Sequence, residues 1–379
     1  MYKAKSFYSL CLSVAFTYIV FKNYNGMKMI KDSAKENHEF GNISQYIKIG
    51  NGRRFEFAKI IIIIAYGRSG STFTGSIFRE ITGAFYLYEP NRALTLPFTK
   101  YRNDNVTLSY FYRKSSLFSM TRQTEYLLDA INLWLHCNLS SLCIPICVEK
   151  KSTPNANGCC GKNGTFKASL QAEENYCKKA PVKVMKFIKL RMKYLLRFLH
   201  VYPNLRVVHL VRDPRGIFNS RWVEQKHSHW KLIVQSHCRT LIEDLTYSKK
   251  ILVQYPNRLF IVSYENLANE PIRTTQEMFQ FASLEFSKNI KMFLENQTLS
   301  NRDTCRHCTQ RKNSSATAIK WRTELDSYTA QFIQSACSIS NKVLGYLPLS
   351  GKSEMNNFSI PSRKVVDIQT ELLSNENLQ

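Results

Sequence analysis

Two short runs carry the residue types that binding and cleaving at an anion requires. The first is Gly67-Arg-Ser-Gly-Ser-Thr-Phe-Thr74, directly after the apolar run Ile60 to Ala65. Gly67 and Gly70 let the backbone turn sharply. From Ser71 onward Phe73, Ile77 and Ile81 recur every fourth residue, the spacing of one helix face. A strand, a small-residue loop and a helix start aim backbone N–H groups and the positive end of a helix dipole at one spot, which suits a phosphate. An ordinary strand-to-helix connection also favours Gly and Ser. Arg68 inside the loop tips the reading toward an anion, because a guanidinium forks onto phosphate oxygens. The nucleoside-triphosphate pattern G-x-x-x-x-G-K-[ST] is not met, since no Lys follows Gly70 and the two glycines are three apart. That argues against the β/γ-phosphate pair of ATP or GTP.

The second run is Leu210-Val-Arg-Asp-Pro-Arg-Gly-Ile-Phe-Asn-Ser-Arg221. It follows an apolar strand, Leu205 to Val211, and puts Arg212 at the strand's C-terminal end, where parallel sheets place ligands. Asp213 suits the cap of the next helix and Pro214 its first turn, with Ser220 and Arg221 two turns on. His209, inside the strand, reads as a satisfied core histidine. His227, His229 and His237 have no fixed tie to the first loop. A base for deprotonating a hydroxyl is better sought at Glu89, which ends the strand-like Phe85-Tyr-Leu-Tyr88 and is held extended by Pro90. The competing role for Glu89 is an ion pair with Arg92 or another nearby Arg.

The elements that must position these groups alternate. Strands are expected at Ile60 to Ala65, Phe85 to Tyr88, Val182 to Leu190, Leu205 to Val211 and Arg258 to Tyr264. Helices are expected from Ser71, at Thr124 to Leu135, Arg191 to His200, Trp230 to Val253, 271–283 and Leu325 to Leu344. Such alternation implies an α/β fold with a parallel, doubly wound sheet flanked by helices. The catalytic domain is expected over 57–348, and the polar tail at 349–379 is expected to be disordered beyond Gly351.

The chain has 379 residues and a net charge of +25, which draws polyanions such as acidic glycan, lipid or nucleic acid. Its basic residues are dispersed, which excludes a basic nucleic-acid tail. Residues 6–21 are mostly apolar after a five-residue basic start and lack a small-x-small cleavage site. They read as an uncleaved signal-anchor transmembrane helix, with 1–5 a cytosolic tail and 22–56 a stem. Cys11 apart, ten cysteines remain, and Asn-x-Ser/Thr sequons occur at Asn42, Asn105, Asn138, Asn163, Asn296, Asn313 and Asn357. Together they point to an oxidising, glycosylating lumen. Cys137, Cys143, Cys147, Cys159, Cys160 and Cys177 crowd the 137–180 stretch, with no C-x-x-C pair and His136 alone nearby. That reads as a loop-rich, disulfide-stapled insertion rather than a zinc site. Cys305-Arg-His-Cys308 is a lone C-x-x-C, a weak redox or metal signal.

In order along the chain, Gly67-Arg-Ser-Gly-Ser-Thr-Phe73, Phe85-Tyr-Leu-Tyr-Glu-Pro90, Leu210 to Arg221, Ser263-Tyr-Glu-Asn-Leu267, Trp321-Arg-Thr-Glu-Leu325 and Gly345-Tyr346 resemble the Golgi carbohydrate sulfotransferases. The group resembled is the galactose/N-acetylglucosamine/N-acetylgalactosamine 6-O-sulfotransferases. The resemblance implies a P-loop-like parallel sheet and a type II Golgi membrane protein with its catalytic body in the lumen. It implies 3′-phosphoadenylyl sulfate (PAPS) as sulfate donor, a glycan or proteoglycan acceptor and no metal. Arg68, Ser69, Gly70, Ser71, Thr72, Phe73 and Thr74 would hold the 5′-phosphosulfate, and Arg212, Asp213, Pro214, Arg215 and Ser220 the 3′-phosphate. Glu89 falls where the family has a proposed base, so the catalytic pair would be Glu89 and Arg68. Thr72 stands where the family commonly has a second Ser, Gly216 replaces the usual Ala, and Asn219 replaces a small residue. Two other classes stay open on the residues alone. One is a lumenal kinase of glycans or proteins, against which the missing Gly-Lys-Ser/Thr argues. The other is a catalytically inactive glycan-binding protein, for which the net charge alone would suffice.

Overall fold

The computed structural model describes residues 58–91, 105–108, 116–119, 123–139, 148–149, 166–222, 228–301 and 308–375. The expected cytosolic tail, signal anchor and stem lie outside these residues, as do Arg92, Cys143, Cys147, Cys159 and Cys160. No helix among the described residues is long and apolar enough to cross a membrane.

β1 (Lys59–Ile64) is the central strand. It pairs in parallel with β6 (Val182–Phe187) on one side and β7 (Leu205–Val211) on the other, so that Ile62 stands level with Met185 and Val207. β2 (Phe85–Tyr88) lies parallel outside β6, and β8 (Leu259–Ser263) parallel outside β7. A two-residue strand, β5 (Val148–Glu149), closes the β2 edge antiparallel. Between β2 and β5 in sequence, β3 (Asn105–Leu108) and β4 (Ser116–Ser119) form a separate antiparallel pair. The all-isoleucine stretch suits β1 because both faces of a parallel sheet are covered. Ile60, Ile62 and Ile64 enter one core, while Ile61 and Ile63 enter the other.

On the first face pack α2 (Gln123–Leu135), α4 (Leu195–Val201), the long α6 (Trp230–Gln254) and the C-terminal α15 (Ile368–Ser374). On the second lie α1 (Ser71–Arg79), α7 (Tyr264–Asn269), α8 (Pro271–Phe281) and α9 (Lys288–Thr298). α1 approaches the sheet where Gly75 meets Tyr86: a Cβ on Gly75 would lie 2.0 Å from the Tyr86 hydroxyl. A third core joins α5 (Pro214–Trp222) to α11 (Trp321–Glu324) and α12 (Ser327–Ala336).

Several expectations need correction. The helix expected over Leu325 to Leu344 is broken: α12 ends at Ala336 and α13 (Ser338–Leu344) begins after Cys337, which is bonded to Cys238 on α6. The 137–180 insertion is closed by Cys137–Cys177 but is less loop-rich than expected, since α3 (Phe166–Lys179) occupies its second half. The helices α9, α10 (Ser314–Ile319) and α11 are not among the expected elements, although Ile290, Phe293 and Leu294 mark an apolar face on α9.

The largest correction concerns the tail, which is folded. The buried Arg322 guanidinium donates to the carbonyls of Met355, Ile360, Glu354 and Asn357 at 2.7–3.0 Å, winding residues after α14 (Lys352–Asn356) around itself. Ile368 and Leu372 of α15 then enter the first core. A chain stopped at Ser350 would leave Arg322 buried without these carbonyls, and hydrogen bonds to charged groups each contribute about 1.5–3 kcal/mol. We therefore expect truncation at Ser350 to lower the thermal midpoint steeply or abolish cooperative unfolding in a calorimetric scan. An unchanged midpoint would contradict this packing.

Candidate active site

The loops after β1, β7 and β8 meet at the C-terminal edge of three adjacent strands and open into a cavity of about 590 Å³. Edges of this kind, beside a central strand flanked by crossovers, are where doubly wound sheets bind ligands. Arg68, Gly70, Ser71, Thr72 and Phe73 line it from the first loop, and Arg212, Gly216, Asn219 and Ser220 from the second.

The first loop is held by its own hydrogen bonds. Ser69 is buried, and its hydroxyl donates to the Tyr66 carbonyl at 2.7 Å while accepting from the Tyr66 N–H at 3.2 Å. The Ser69 N–H also donates to the Tyr66 carbonyl, so it does not join an anion cradle. The N–H groups of Gly70, Ser71 and Thr72 occupy the start of α1, where a helix supplies no internal partner. Arg68 (φ 71°) and Gly70 (φ 90°) both adopt left-handed backbone. Thr74 serves the helix, donating its hydroxyl to the Gly70 carbonyl at 3.3 Å.

The two loops are tied together through arginines. Arg68 Nε donates to Ser220 Oγ at 3.0 Å, and Arg212 Nη1 donates to the Arg68 carbonyl at 2.8 Å. The Arg212 guanidinium lies 4.3 Å from the Tyr264 ring centroid. Its Nε is a buried donor without a partner among the described residues. Arg221, one residue beyond Ser220, reaches the Gly67 carbonyl at 3.5 Å. Burial, and then the positive charge of Arg68, pull its pKa down to about 10. Three guanidiniums around one loop make a site that favours an anion.

Asp213, Pro214 and Arg215, expected to touch ligand, do not line the cavity. Arg215 spends its five N–H donors internally. They reach both Asp213 oxygens, Gln334 Oε1, the Leu347 carbonyl and the Ser362 carbonyl, and the guanidinium lies 4.0 Å from the Trp321 ring. Asp213 also caps α5 by accepting from the Arg215 N–H. The correction has a physical cause: this pair is the pin between α5 and the C-terminal segments.

Glu89 ends β2 at the same sheet edge, with φ 44° and its side chain buried, but outside the cavity lining. Its Oε1 accepts from Lys186 Nζ at 2.7 Å, so its ion-pair partner among the described residues is a lysine on β6. The same Nζ lies 3.6 Å from the Tyr88 ring centroid, and the Tyr88 hydroxyl is 3.4 Å from Thr72 Oγ1 in the cavity wall. Lys186 escaped the sequence reading; its signal was a second lysine, after Lys183, near the C-terminal end of a buried strand. Tyr264 was quoted within a motif without a role, although it supports both Gly70 and Arg212. The far wall, with Arg311, Ser314 and Lys320, was also unread.

The sulfotransferase domain family matches residues 59–347. The chain belongs to that family, and is an enzyme of the transferase class. Carbohydrate sulfotransferase 3 of Mus musculus is 25% identical over 363 residues, covering 87% of this chain and 76% of that protein. Carbohydrate sulfotransferase 1 of Rattus norvegicus is 26% identical over 348 residues, covering 79% and 82%. Among solved structures, retinol dehydratase in complex with androsterone and inactive cofactor PAP is 13% identical with a TM-score of 0.40, covering 78% of this chain and 85% of that one. The sulfotransferase domain from the curacin biosynthetic pathway is 14% identical with a TM-score of 0.39, covering 75% and 98%.

Beneath the loop, His209 fits its core reading. It contacts the Tyr66 hydroxyl and Ser248 Oγ at 3.0 Å each, and that hydroxyl donates to Asp244 at 3.1 Å. His237 is packed edge-on against Tyr66 and Phe218, and its Nε2 has no partner among the described residues. Burial lowers the pKa of both histidines from 6.5 to about 3, with Arg221 adding to the effect at His237. Neither is thus protonated in the folded enzyme near neutrality. The unfolded chain binds more protons than the folded one below about pH 6.5, so stability should fall as pH drops from there toward 3. Each histidine should cost on the order of 1–2 kcal/mol by pH 5. His237→Leu should flatten the dependence of the thermal midpoint on pH between 7 and 5. An unchanged slope would contradict the buried, neutral assignment.

Proposed function

We propose that this enzyme transfers a sulfuryl group from PAPS to a hydroxyl, at the 6-position, of a sugar such as N-acetylglucosamine, galactose or N-acetylgalactosamine in a glycan. The observation that carries the reading is the convergence of Arg68, the α1 N-terminus, Arg212 and Ser220 on one cavity in a chain of the sulfotransferase family. The relatives named carbohydrate sulfotransferase support a sugar acceptor. The Arg212 Nε, a donor without a hydrogen-bond partner among the described residues, supports a second phosphate subsite beyond the one at the α1 N-terminus. That second phosphate is what separates PAPS from simpler adenine nucleotides.

When bound, PAPS supplies an activated sulfuryl group on its 5′-phosphate. Arg68 and the N–H groups of Gly70, Ser71 and Thr72 stabilise the charge that builds on that phosphate during transfer. Arg212 and Ser220 hold the 3′-phosphate. Phe73 lines the cavity beside them, while Ser69, Thr74, Asp213, Pro214 and Arg215 act one step back, fixing the loops rather than touching the donor. Glu89 accepts the proton of the attacking hydroxyl, held in place by Lys186. Positioning and electrostatics do most of the work, as in phosphoryl transfer.

The same reading puts the catalytic body in the Golgi lumen, on a type II anchor at 6–21. The disulfides Cys137–Cys177 and Cys238–Cys337, with Cys308 also disulfide-bonded, support an oxidising compartment.

Arg68→Ala and Arg212→Ala should each weaken binding of the product nucleotide PAP, by about 1.5–3 kcal/mol per lost charged hydrogen bond. Calorimetry on folded variants measures it, and wild-type affinity in both would remove the two-loop reading. Glu89→Gln should cut turnover by about 10²-fold or more with PAP affinity nearly unchanged. A folded Gln variant keeping more than about a tenth of turnover, outside the range for base loss, would assign Glu89 to the ion pair alone.

A further inference from the structure

Tyr66 is buried directly before the first loop, outside the cavity lining. β1 stays paired as far as the Ala65 N–H, which donates to the Phe187 carbonyl at 3.0 Å. From Tyr66 onward the backbone bonds to the loop instead. Its N–H donates to Ser69 Oγ at 3.2 Å, and its carbonyl accepts from the Ser69 N–H at 3.1 Å and from Ser69 Oγ at 2.7 Å. Three bonds of the loop thus hang from the peptide groups of one residue just past the end of its strand. That residue is held by its side chain. The Tyr66 hydroxyl donates to Asp244 Oδ2 on α6 at 3.1 Å and lies 3.0 Å from His209 Nε2 on β7. Each partner is itself fixed. Asp244 Oδ1 accepts from Arg191 Nε and from the Met192 N–H at 3.0 Å each. His209 Nδ1 lies 3.0 Å from Ser248 Oγ, whose hydroxyl donates to the Asp244 carbonyl at 2.8 Å. The Tyr66 ring packs edge-on against His237, with 5.2 Å between centroids. Burial, with Asp244 adding to it, pushes the Tyr66 pKa well above 10, so the hydroxyl remains a donor at neutral pH.

We propose that Tyr66 is a positioning residue for the donor nucleotide. Its hydroxyl, clamped between Asp244 and His209, fixes the backbone from which Ser69 hangs, and so places Arg68 and the α1 N-terminus against the 5′-phosphate. The inference rests on the PAPS reading of the cavity. The loop needs such a mount because Arg68, a non-glycine residue, stands at φ 71°. Backbone of that kind persists only where its surroundings over-determine it. From the second loop, Arg68 is tied by Ser220 and Arg212. From beneath, the loop is tied through Ser69 to Tyr66 alone among the described residues. Without the clamp Tyr66 is free to shift, and the N–H groups of Gly70, Ser71 and Thr72 shift with it. A displacement of about 1 Å is enough to spoil a binding geometry. Arg212 and Ser220 make no bond to Tyr66, Asp244 or His209, so the 3′-phosphate subsite does not depend on the hydroxyl.

Tyr66→Phe keeps the ring and removes the hydroxyl. Tyr202→Phe is the matched control, because Tyr202 lies in the same core and its hydroxyl bonds to Asn132 on α2, away from both loops. Calorimetric titration of the full chain with PAP, adenosine 5′-phosphate and adenosine 3′-phosphate separates the two subsites. We expect Tyr66→Phe to weaken PAP and adenosine 5′-phosphate about fivefold or more, and to leave adenosine 3′-phosphate within about twofold of wild type. Tyr202→Phe should keep all three affinities. Hydrogen exchange of the ligand-free protein reads the loop directly: the Ser69 amide should exchange about tenfold faster in Tyr66→Phe and at the wild-type rate in Tyr202→Phe. Ser69→Ala cuts the link from the loop side and should reproduce the split between nucleotides. Combining it with Tyr66→Phe should add little, as for two residues acting through one link. Wild-type affinity for adenosine 5′-phosphate in Tyr66→Phe overturns the proposal. Equal weakening of both monophosphates does so too, as do additive losses in the double variant, the hydroxyl then serving stability alone. A wild-type enzyme that binds none of the three nucleotides would count against the PAPS reading instead. Exchange of the Ser69 amide would then decide the role of Tyr66: faster in Tyr66→Phe supports it, and unchanged overturns it.

Discussion

Gly70 has no room for a side chain. A Cβ there would lie 2.3 Å from the Tyr264 ring, and the residue's φ of 90° is one that other residues rarely adopt. Both constraints follow from how closely the loop after β1 is pressed onto the start of α7. The same ring lies under the Arg212 guanidinium, which in turn holds the Arg68 carbonyl. One aromatic side chain thus sets the height of the first loop, the direction of an arginine from the second, and the distance between them. Tyr264 is fixed because β8 is paired to β7 in register and because Glu265, next in sequence, accepts from the Asp213 N–H and the Tyr346 hydroxyl.

The motif Arg212-Asp-Pro-Arg215 divides its two arginines between opposite tasks. Arg215 is fully buried and saturated by Asp213 and carbonyl oxygens, so its charge is compensated within the fold. Arg212 has a donor left over, and Arg221 sits close enough to Arg68 for the two charges to oppose each other. The fold therefore contains repulsion at the first loop that a bound anion would relieve. Glu89 and Lys186 lie one tyrosine away, a buried pair of opposite charge that is balanced before any ligand arrives.

The sheet was legible because its strands are short apolar runs between glycines and prolines, and β1, with five isoleucines, admits little else. That the two loops meet at one cavity was legible because each follows the C-terminal end of an apolar strand, where parallel sheets place ligands. What sequence could not separate was which polar residue of a loop faces the cavity. Ser69 and Ser71 look alike in one dimension, yet one serves the Tyr66 backbone and the other lines the site. The folded tail was misread because its order depends on one distant arginine: Arg322 binds carbonyls, which every residue has, so no composition signals it. The break at Cys337 was hidden for a similar reason, since the apolar repeat continues through it while the bond to Cys238 is invisible locally.

The account turns on two separate phosphate subsites held by the loops after β1 and β7. Calorimetric titration of the unmodified enzyme with PAP, adenosine 5′-phosphate and ATP tests it most directly. PAP should bind at least tenfold more tightly than adenosine 5′-phosphate, as expected from about 1.4 kcal/mol or more contributed by the second phosphate, and ATP should gain nothing over adenosine 5′-phosphate. ATP binding as tightly as PAP, or PAP no better than adenosine 5′-phosphate, would contradict it.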